Sequence, residues 1–512
     1  MNKGKGNIVI VSNRLPIRIS RSGKKRKIIP GSGGLVTALA PVLRDRGGIW
    51  IGWDGDKSGQ SNTELFKKES TRIGYSLRPV SLTTQEVEQY YEGFSNATLW
   101  PLFHYFSDRC QFQPETWDMY CMVNQKFAEA VAENSDKDDL IWIHDYHLLL
   151  MGKYLAELGV KRKTAFFIHI PFPPWDLFMR LPWRKEIIDG ILNYDLAGFQ
   201  TERDRWNFVR CVRRLFPSTL VSGPQRYQLI EHNGKVTRVG AFPISIDFEG
   251  FSQLASSQEV ADEAWYIHER LPERKLVLGV DRLDYTKGIL ERLKAFEIVL
   301  EKYSDMCEKI NLIQVVVPSR TDVKEYQEMK RTIEEAVGRI NGRFTYHDWV
   351  PIHYIYRNLS RFELVAYYRT SEIALITPLK DGMNLIAKEY CASKVETNGV
   401  LILSEFAGAA QQLGKSSLLV NPLNVEEVAD QIYKAYQMQE DERKSRMRRL
   451  RAEIRRNNIF RWVEQFLSAV GMPLPKPHTT TATSRTSSKV EIRDTSFKKP
   501  LLSHSGIEGM KQ

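Results

Sequence analysis

No run of apolar residues in this chain is long enough to cross a membrane. The first apolar stretch, IVIV at residues 8–11, follows a few basic residues and is too brief for a signal-peptide core or a span. Cysteine is scarce as well. The five, Cys110, Cys121, Cys211, Cys307 and Cys391, are odd in number, scattered, and contain no Cys-x-x-Cys pair. That argues against a disulfide framework and against a zinc site, and fits a reducing cytoplasm. No repeat recurs at a period of 20–50 residues, which argues against a solenoid. What is there is ordinary globular composition: 42% hydrophobic and 26% charged residues over 512 positions. That length exceeds what one core usually supports, so two domains are expected. The net charge of +11 suits nucleic acid, an anionic membrane surface or anionic small substrates, and does not choose among them.

Short β-branched runs alternate with helix-period segments: NIVIVS (7–12), LIWIHDY (140–146), TAFFIHI (164–170), LAGFQ (196–200), KLVLGV (275–280), NLIQVVV (311–317), IALIT (373–377) and VLILS (400–404). Continuous apolar strands separated by helices predict parallel sheets, hence an α/β fold of two doubly wound, Rossmann-like domains facing a central cleft. The expected division is 1–245 for the first domain and 246–456 for the second, with the seam near FPISIDFEGFSQL. A helix over 457–472 is expected to cross back to the first domain, and the Ser/Thr/Lys-rich stretch 473–512 is expected to be a disordered tail. The basic segment 442–470 reads as a solvated helix face. It lacks a recognition motif, so nucleic acid is not expected as a partner, nor is a membrane; a homo-oligomer stays open.

In open parallel sheets ligands gather beyond the carboxyl ends of strands, and clefts between domains favour pockets. The post-strand stretch TPLKDGMNLIAKEY (377–390) places Asp381 and Glu389 on either side of a Gly-Met-Asn turn. Amides at a helix start there can hold sugar hydroxyls or phosphate oxygens, and a carboxylate suits a ribose diol. Taken alone, Asp381 reads equally well as a helix cap and Glu389 as a surface ion pair. In DRLDYTKG (281–288), Arg282 and Lys287 are two cations able to converge on a diphosphate and neutralise charge on a leaving group. GSGGLV (31–36) is glycine-rich but lacks a dinucleotide fingerprint. Arg14, Tyr91, Trp100, Asp145 and Arg320 form a cationic and aromatic group that could grip a monoester phosphate and a sugar ring. His169, in HIPFP, reads either as a packed strand-end histidine or as a cleft residue.

Together the motifs VSNRLP, YYEGFSNATLWPLFHY, IWIHDYHLLL, FFIHIPFP, RLDYTKG, PSRTDV, INGRF, TPLKDGMNLIAKEY, SEFAGAA and LLVNP resemble the trehalose-6-phosphate synthases, retaining glycosyltransferases of the two-domain GT-B architecture, over about residues 7–472. The resemblance implies transfer of glucose from a nucleotide-glucose, usually UDP-glucose, to glucose 6-phosphate, in a cytoplasmic enzyme of trehalose biosynthesis and osmoprotection. It places Gly33, Gly34, Arg282 and Lys287 near the donor diphosphate and Glu389 on the ribose. Asp381, His169, Gly382, Met383, Asn384 and Leu385 would surround the donor glucose. Arg14, Tyr91, Trp100, Asp145 and Arg320 would surround the acceptor. It further implies a front-face displacement that needs no cofactor and no divalent ion. A synthase using glycerol 3-phosphate as acceptor, or a non-catalytic sugar-phosphate sensor on the same fold, are the alternative expectations.

Overall fold

The computed structural model describes residues 7–22, 25–30, 34–56, 63–224, 227–271, 273–320 and 323–472. The expected tail and Gly33 lie outside the described residues.

Strands are numbered in chain order. β1 (Ile8–Arg14) is followed by a hairpin of β2 (Ile17–Ser22) and β3 (Lys25–Pro30), then β4 (Gly48–Trp53), β5 (Ser76–Val80), β6 (Leu140–His144), β7 (Lys163–Phe167) and β8 (Leu196–Phe199). β9 (Leu220–Ser222), β10 (Tyr227–His232) and β11 (Lys235–Ala241) follow. Among the described residues these strands, without the hairpin, form one nine-stranded sheet in the order β5-β4-β1-β6-β7-β8-β11-β10-β9. It is parallel through β11, and β10 and β9 continue it antiparallel at one edge. The second sheet holds β12 (Lys275–Arg282), β13 (Ile310–Val317), β14 (Ile352–Tyr356), β15 (Ile373–Ile376), β16 (Val400–Ser404) and β17 (Leu418–Val420) in the order β14-β13-β12-β15-β16-β17, all parallel.

Both sheets are covered by helices on two faces, which is why β6 and β16 are buried at every position. Each sheet carries its own apolar core, one around Ile141, Phe166 and Phe199, the other around Leu312, Leu375 and Ile402. The α/β expectation of two Rossmann-like layers therefore holds. In both sheets the order reverses direction beside the first strand, at β1 and β12. Arg14 and Arg282 thus stand at the ends of the two switch-point strands, where ligands collect in such folds.

Two elements go beyond what the sequence pattern indicates. The basic stretch after Arg14 is not a simple loop: it pairs as the β2–β3 hairpin in tight register, Ile17 opposite Pro30 and Ser22 opposite Lys25. Val87–Leu99 winds as a π-helix, closed by a Trp100 N–H bond to Ser95 O, and carries Tyr91. π-helical turns are rare and concentrate at functional sites.

Candidate active site

Several cavities open between the facing ends of the sheets, and two of them hold most of the expected site residues. The first, about 420 Å³, is lined by His169 and Gln200 from one side and by Arg282, Lys287, Asp381, Met383, Asn384 and Leu385 from the other. Arg282 ends β12 with its side chain exposed. Lys287 sits on the turn Tyr285–Lys287, which Asp284 braces by accepting the Thr286 N–H at 3.0 Å. The next residue, Gly288, has φ +64, and a Cβ there would fall 2.5 Å from Thr377 O, so only glycine fits the bend into the helix Ile289–Lys302.

Lys287 Nζ donates to Asp381 Oδ2 at 2.7 Å. Asn384 Nδ2 donates to the same oxygen at 3.2 Å. Burial pushes the Asp381 carboxyl upward, but the Lys287 ammonium outweighs it and holds the group below the usual carboxylate range. Asp381 is not the helix cap. Asn384, at φ 74, accepts the Ala387 N–H at 3.2 Å and caps Leu385–Ser393, freeing Asp381 for the lysine. Gly382 is wedged against the other side of the cleft: a Cβ would stand 2.3 Å from His169 O. Glu389 lies one helical turn beyond Leu385. It accepts from Tyr368 O–H at 2.9 Å, and burial raises its pKa against that bond. It is no surface ion pair, and it does not form part of the cavity wall. Gly34 begins the helix Gly34–Arg46, whose Leu35 reaches the same cavity.

Asp145, with φ 75 just past β6, accepts the His169 N–H at 3.1 Å. Its pKa is raised to about 6 by burial, against the pull of the Tyr146 and His169 amides and the Arg282 charge. The His169 ring faces His144, Nε2 to Nδ1 at 3.2 Å, and burial lowers its pKa to about 3.

The second cavity, about 460 Å³, is lined by Arg14, Tyr91, Asn96, Arg109, Tyr285, Arg320 and Tyr326, among others. The Arg14 guanidinium stacks over Trp53 at 4.4 Å and Tyr91 at 5.6 Å. Arg320, at φ 48, donates to Asn96 Oδ1 at 2.8 Å and to the Tyr326 hydroxyl. Its guanidinium lies 5.0 Å from the Trp100 ring centre, and that of Arg282 lies 5.9 Å from the same ring. The Trp100 ring is thus within reach of one guanidinium from each cavity, and neither it nor Asp145 is part of the lining of either. Sequence reasoning missed Asn96, Tyr285, Tyr326 and the Arg109–Glu325 ion pair, all of which line the second cavity. Asn96 sits inside FSNATLWP beside Ser95, Ala97 and Thr98, where neither charge nor spacing marks it. Among the described residues no group of three or more His, Cys, Asp or Glu side chains is placed to hold a metal ion.

The sequence pattern of Glycosyltransferase family 20 matches residues 6–471. A bifunctional trehalose-6-phosphate synthase/phosphatase from Thermoproteus tenax is 43% identical over 474 residues, 90% of this chain and 63% of that protein, so this chain spans less than two thirds of it. The structure also superposes on an α,α-trehalose-phosphate synthase (UDP-forming) from Burkholderia xenovorans in complex with glucose-6-phosphate, with TM-score 0.82 and 35% identity over 91% of this chain and 100% of that one. An E. coli structure bound with UDP-2-fluoro glucose gives TM-score 0.81 and 36% identity over 92% of this chain and all of its own. The architecture is that of these enzymes, the two-domain GT-B arrangement, and the chain belongs to Glycosyltransferase family 20.

Proposed function

We propose that the protein transfers glucose from a nucleotide-glucose, UDP-glucose foremost, to glucose 6-phosphate with retention at the anomeric carbon, giving α,α-trehalose 6-phosphate. One observation carries this reading: two cationic cavities, Arg282 and Lys287 in one and Arg14 and Arg320 in the other, each bring a guanidinium close to the same indole, Arg282 at 5.9 Å and Arg320 at 5.0 Å from the Trp100 ring centre. An anionic leaving group and an anionic acceptor can thus be held on either side of one reacting carbon. The relatives solved with glucose-6-phosphate and with UDP-2-fluoro glucose support these two substrates.

In this reading the donor diphosphate rests on Arg282 and Lys287, near the start of Gly34–Arg46, and its ribose reaches Glu389. Asp381 keeps Lys287 aimed into the cavity before the substrate arrives. The glucosyl ring lies among His169, Asp381 and the amides of residues 382–385. The acceptor phosphate is gripped by Arg14 and Arg320, with Tyr91, Trp100 and Asp145 against its sugar. As the bond from the anomeric carbon to the diphosphate oxygen breaks, the acceptor hydroxyl attacks from the same face and its proton passes to the departing oxygen. The protein supplies position and charge stabilisation. The first domain, 1–245, would carry the acceptor and the second, 246–456, the donor. Free, scattered cysteines are compatible with a cytoplasmic enzyme.

The test is to incubate the purified protein with several nucleotide-glucoses and with glucose 6-phosphate or glycerol 3-phosphate, and to identify products by mass and anomeric coupling. A phosphorylated α,α-linked disaccharide is expected. A glucosylglycerol phosphate, or binding without any product, would replace this reading with one of its alternatives.

A further inference from the structure

We propose that His144, a buried histidine at the end of β6, is a positioning residue: it donates its Nδ1–H to His169 Nε2 and so fixes the His169 proton on Nδ1, making His169 a hydrogen-bond donor to the cavity. The two rings meet with His144 Nδ1 3.2 Å from His169 Nε2. Burial lowers the pKa of both, so each is neutral at neutral pH and carries one N–H and one bare nitrogen. A single proton lies between them, and it can belong to either ring.

The surroundings decide which. His144 Nε2 is buried and has no hydrogen-bond partner among the described residues. If His169 were the donor, the remaining proton of His144 would sit on that atom as an orphaned N–H, the rarer and costlier kind of unsatisfied group. The neighbouring ring sharpens the choice: Trp142, 5.0 Å from His144 centre to centre, has its own buried Nε1–H with no acceptor among the described residues. A protonated His144 Nε2 would set two orphaned donors on adjacent rings. A bare Nε2 sets an acceptor beside a donor. His144 therefore holds its proton on Nδ1, pointing at His169. His169 Nε2 is then bare and occupied, and its Nδ1–H is the polar ring atom left for the cavity that this side chain lines.

The chemical consequence rests on the proposed transfer reaction. An N–H directed at the donor sugar can bond a hydroxyl oxygen but cannot accept the proton of the attacking hydroxyl. His169 is thus excluded as general base, and that proton is left for the departing diphosphate oxygen.

Nitrogen NMR of ¹⁵N-histidine-labelled full-length protein without substrates tests the tautomers directly, with His144→Asn and His169→Asn spectra giving the assignments. Both rings are expected as neutral Nδ1–H tautomers, the opposite of the form favoured in free histidine. A proton on His169 Nε2 overturns the proposal whatever the activity. In His144→Asn, whose amide can still donate, His169 should keep its Nδ1–H form and kcat should stay within about threefold of wild type. In His144→Leu the His169 signals should shift toward the Nε2–H form, with kcat down about tenfold or more and the donor KM changed less than about threefold. Unchanged His169 signals in a folded His144→Leu protein would also overturn it. The expected tautomers in a protein that forms no disaccharide would instead count against the transfer reading alone.

Discussion

Asp145, proposed above to meet the acceptor sugar, is held by burial in a form that works against the stability of the empty protein. Its folded pKa, about 6, lies above the ordinary Asp value near 3.9. The folded state therefore binds a proton more tightly than the unfolded chain, and this contribution to stability, complete below about pH 4, is lost as pH rises through about 6. Asn mimics the protonated form. Asp145→Asn should stabilise the ligand-free protein by about 3 kcal/mol at pH 7.5, less at pH 5, and hardly at all near pH 4, measured by urea denaturation at each pH. The acceptor KM should rise at the same time. Asp381 has the reverse sign: Lys287 depresses its pKa, so its contribution is present above about pH 4 and fades as pH falls through its lower folded value. At this scale the sequence was informative where charge and spacing carry the chemistry. It named Arg282, Lys287, Asp381 and His169, and the structure brings all four to one cavity. It could not tell that Asn384 rather than Asp381 caps the helix, because both are good caps and only the backbone path separates them.

Among elements, the loop between β15 and the helix Leu385–Ser393 is the most constrained part of the cleft. Its Gly382 lies against the carbonyl of His169, and Gly408 in turn lies against the carbonyl of Gly382, each closer than a Cβ permits. Both contacts are with backbone and cannot relax by a side-chain rotation. Gly382→Ala should therefore displace the loop that carries Asp381 and Asn384. The expected result is a turnover loss of at least about 100-fold for a stability cost of about 1–3 kcal/mol, compared by steady-state kinetics and thermal unfolding. The same scale shows what patterning could and could not reveal. The continuous apolar strands β6, β13 and β16 were read with boundaries within one or two residues, because buried parallel strands are long runs of β-branched residues. β4, GIWIGW, escaped notice because glycines interrupt its pattern, and the edge strand β14, IHYIY, because all of it but Ile352 stays partly accessible. The π-helix was illegible: no periodicity distinguishes it from an α-helix over so short a span.

In the whole molecule, the chain passes between the two sheets at two adjacent places. One is the stretch around Ile244 and Ile246. The other lies between the helices Glu440–Arg456 and Ile459–Ala469, and the two are joined by the Ile459 N–H bond to Ile246 O at 2.9 Å. The buried Lys388 ammonium donates to Ile244 O at 2.7 Å, tying this crossing to the helix that begins in the cleft. Arg451 of the basic helix donates to Cys391 O and Ala392 O, satisfying carbonyls at that helix's end. The basic run is thus partly structural glue, which counting charges did not reveal. Beyond it, Trp462 stacks on Trp142 at 5.4 Å and donates to Phe242 O at 3.0 Å, and Phe466 covers the same indole at 4.4 Å. Trp462→Ala should cost about 3–5 kcal/mol and lower the unfolding temperature, because the stack and the bond are lost together.

The central claim is that Arg282 and Lys287 absorb the charge released as the glycosyl bond breaks, while Arg14 and Arg320 hold the acceptor's phosphate. Steady-state kinetics of Arg282→Ala with UDP-glucose and glucose 6-phosphate, on protein whose thermal unfolding matches wild type, tests it most directly. The account predicts a kcat lower by about 10²- to 10³-fold, with the glucose 6-phosphate KM changed by less than about threefold. Turnover close to wild type, or a loss confined to the acceptor KM, would contradict it.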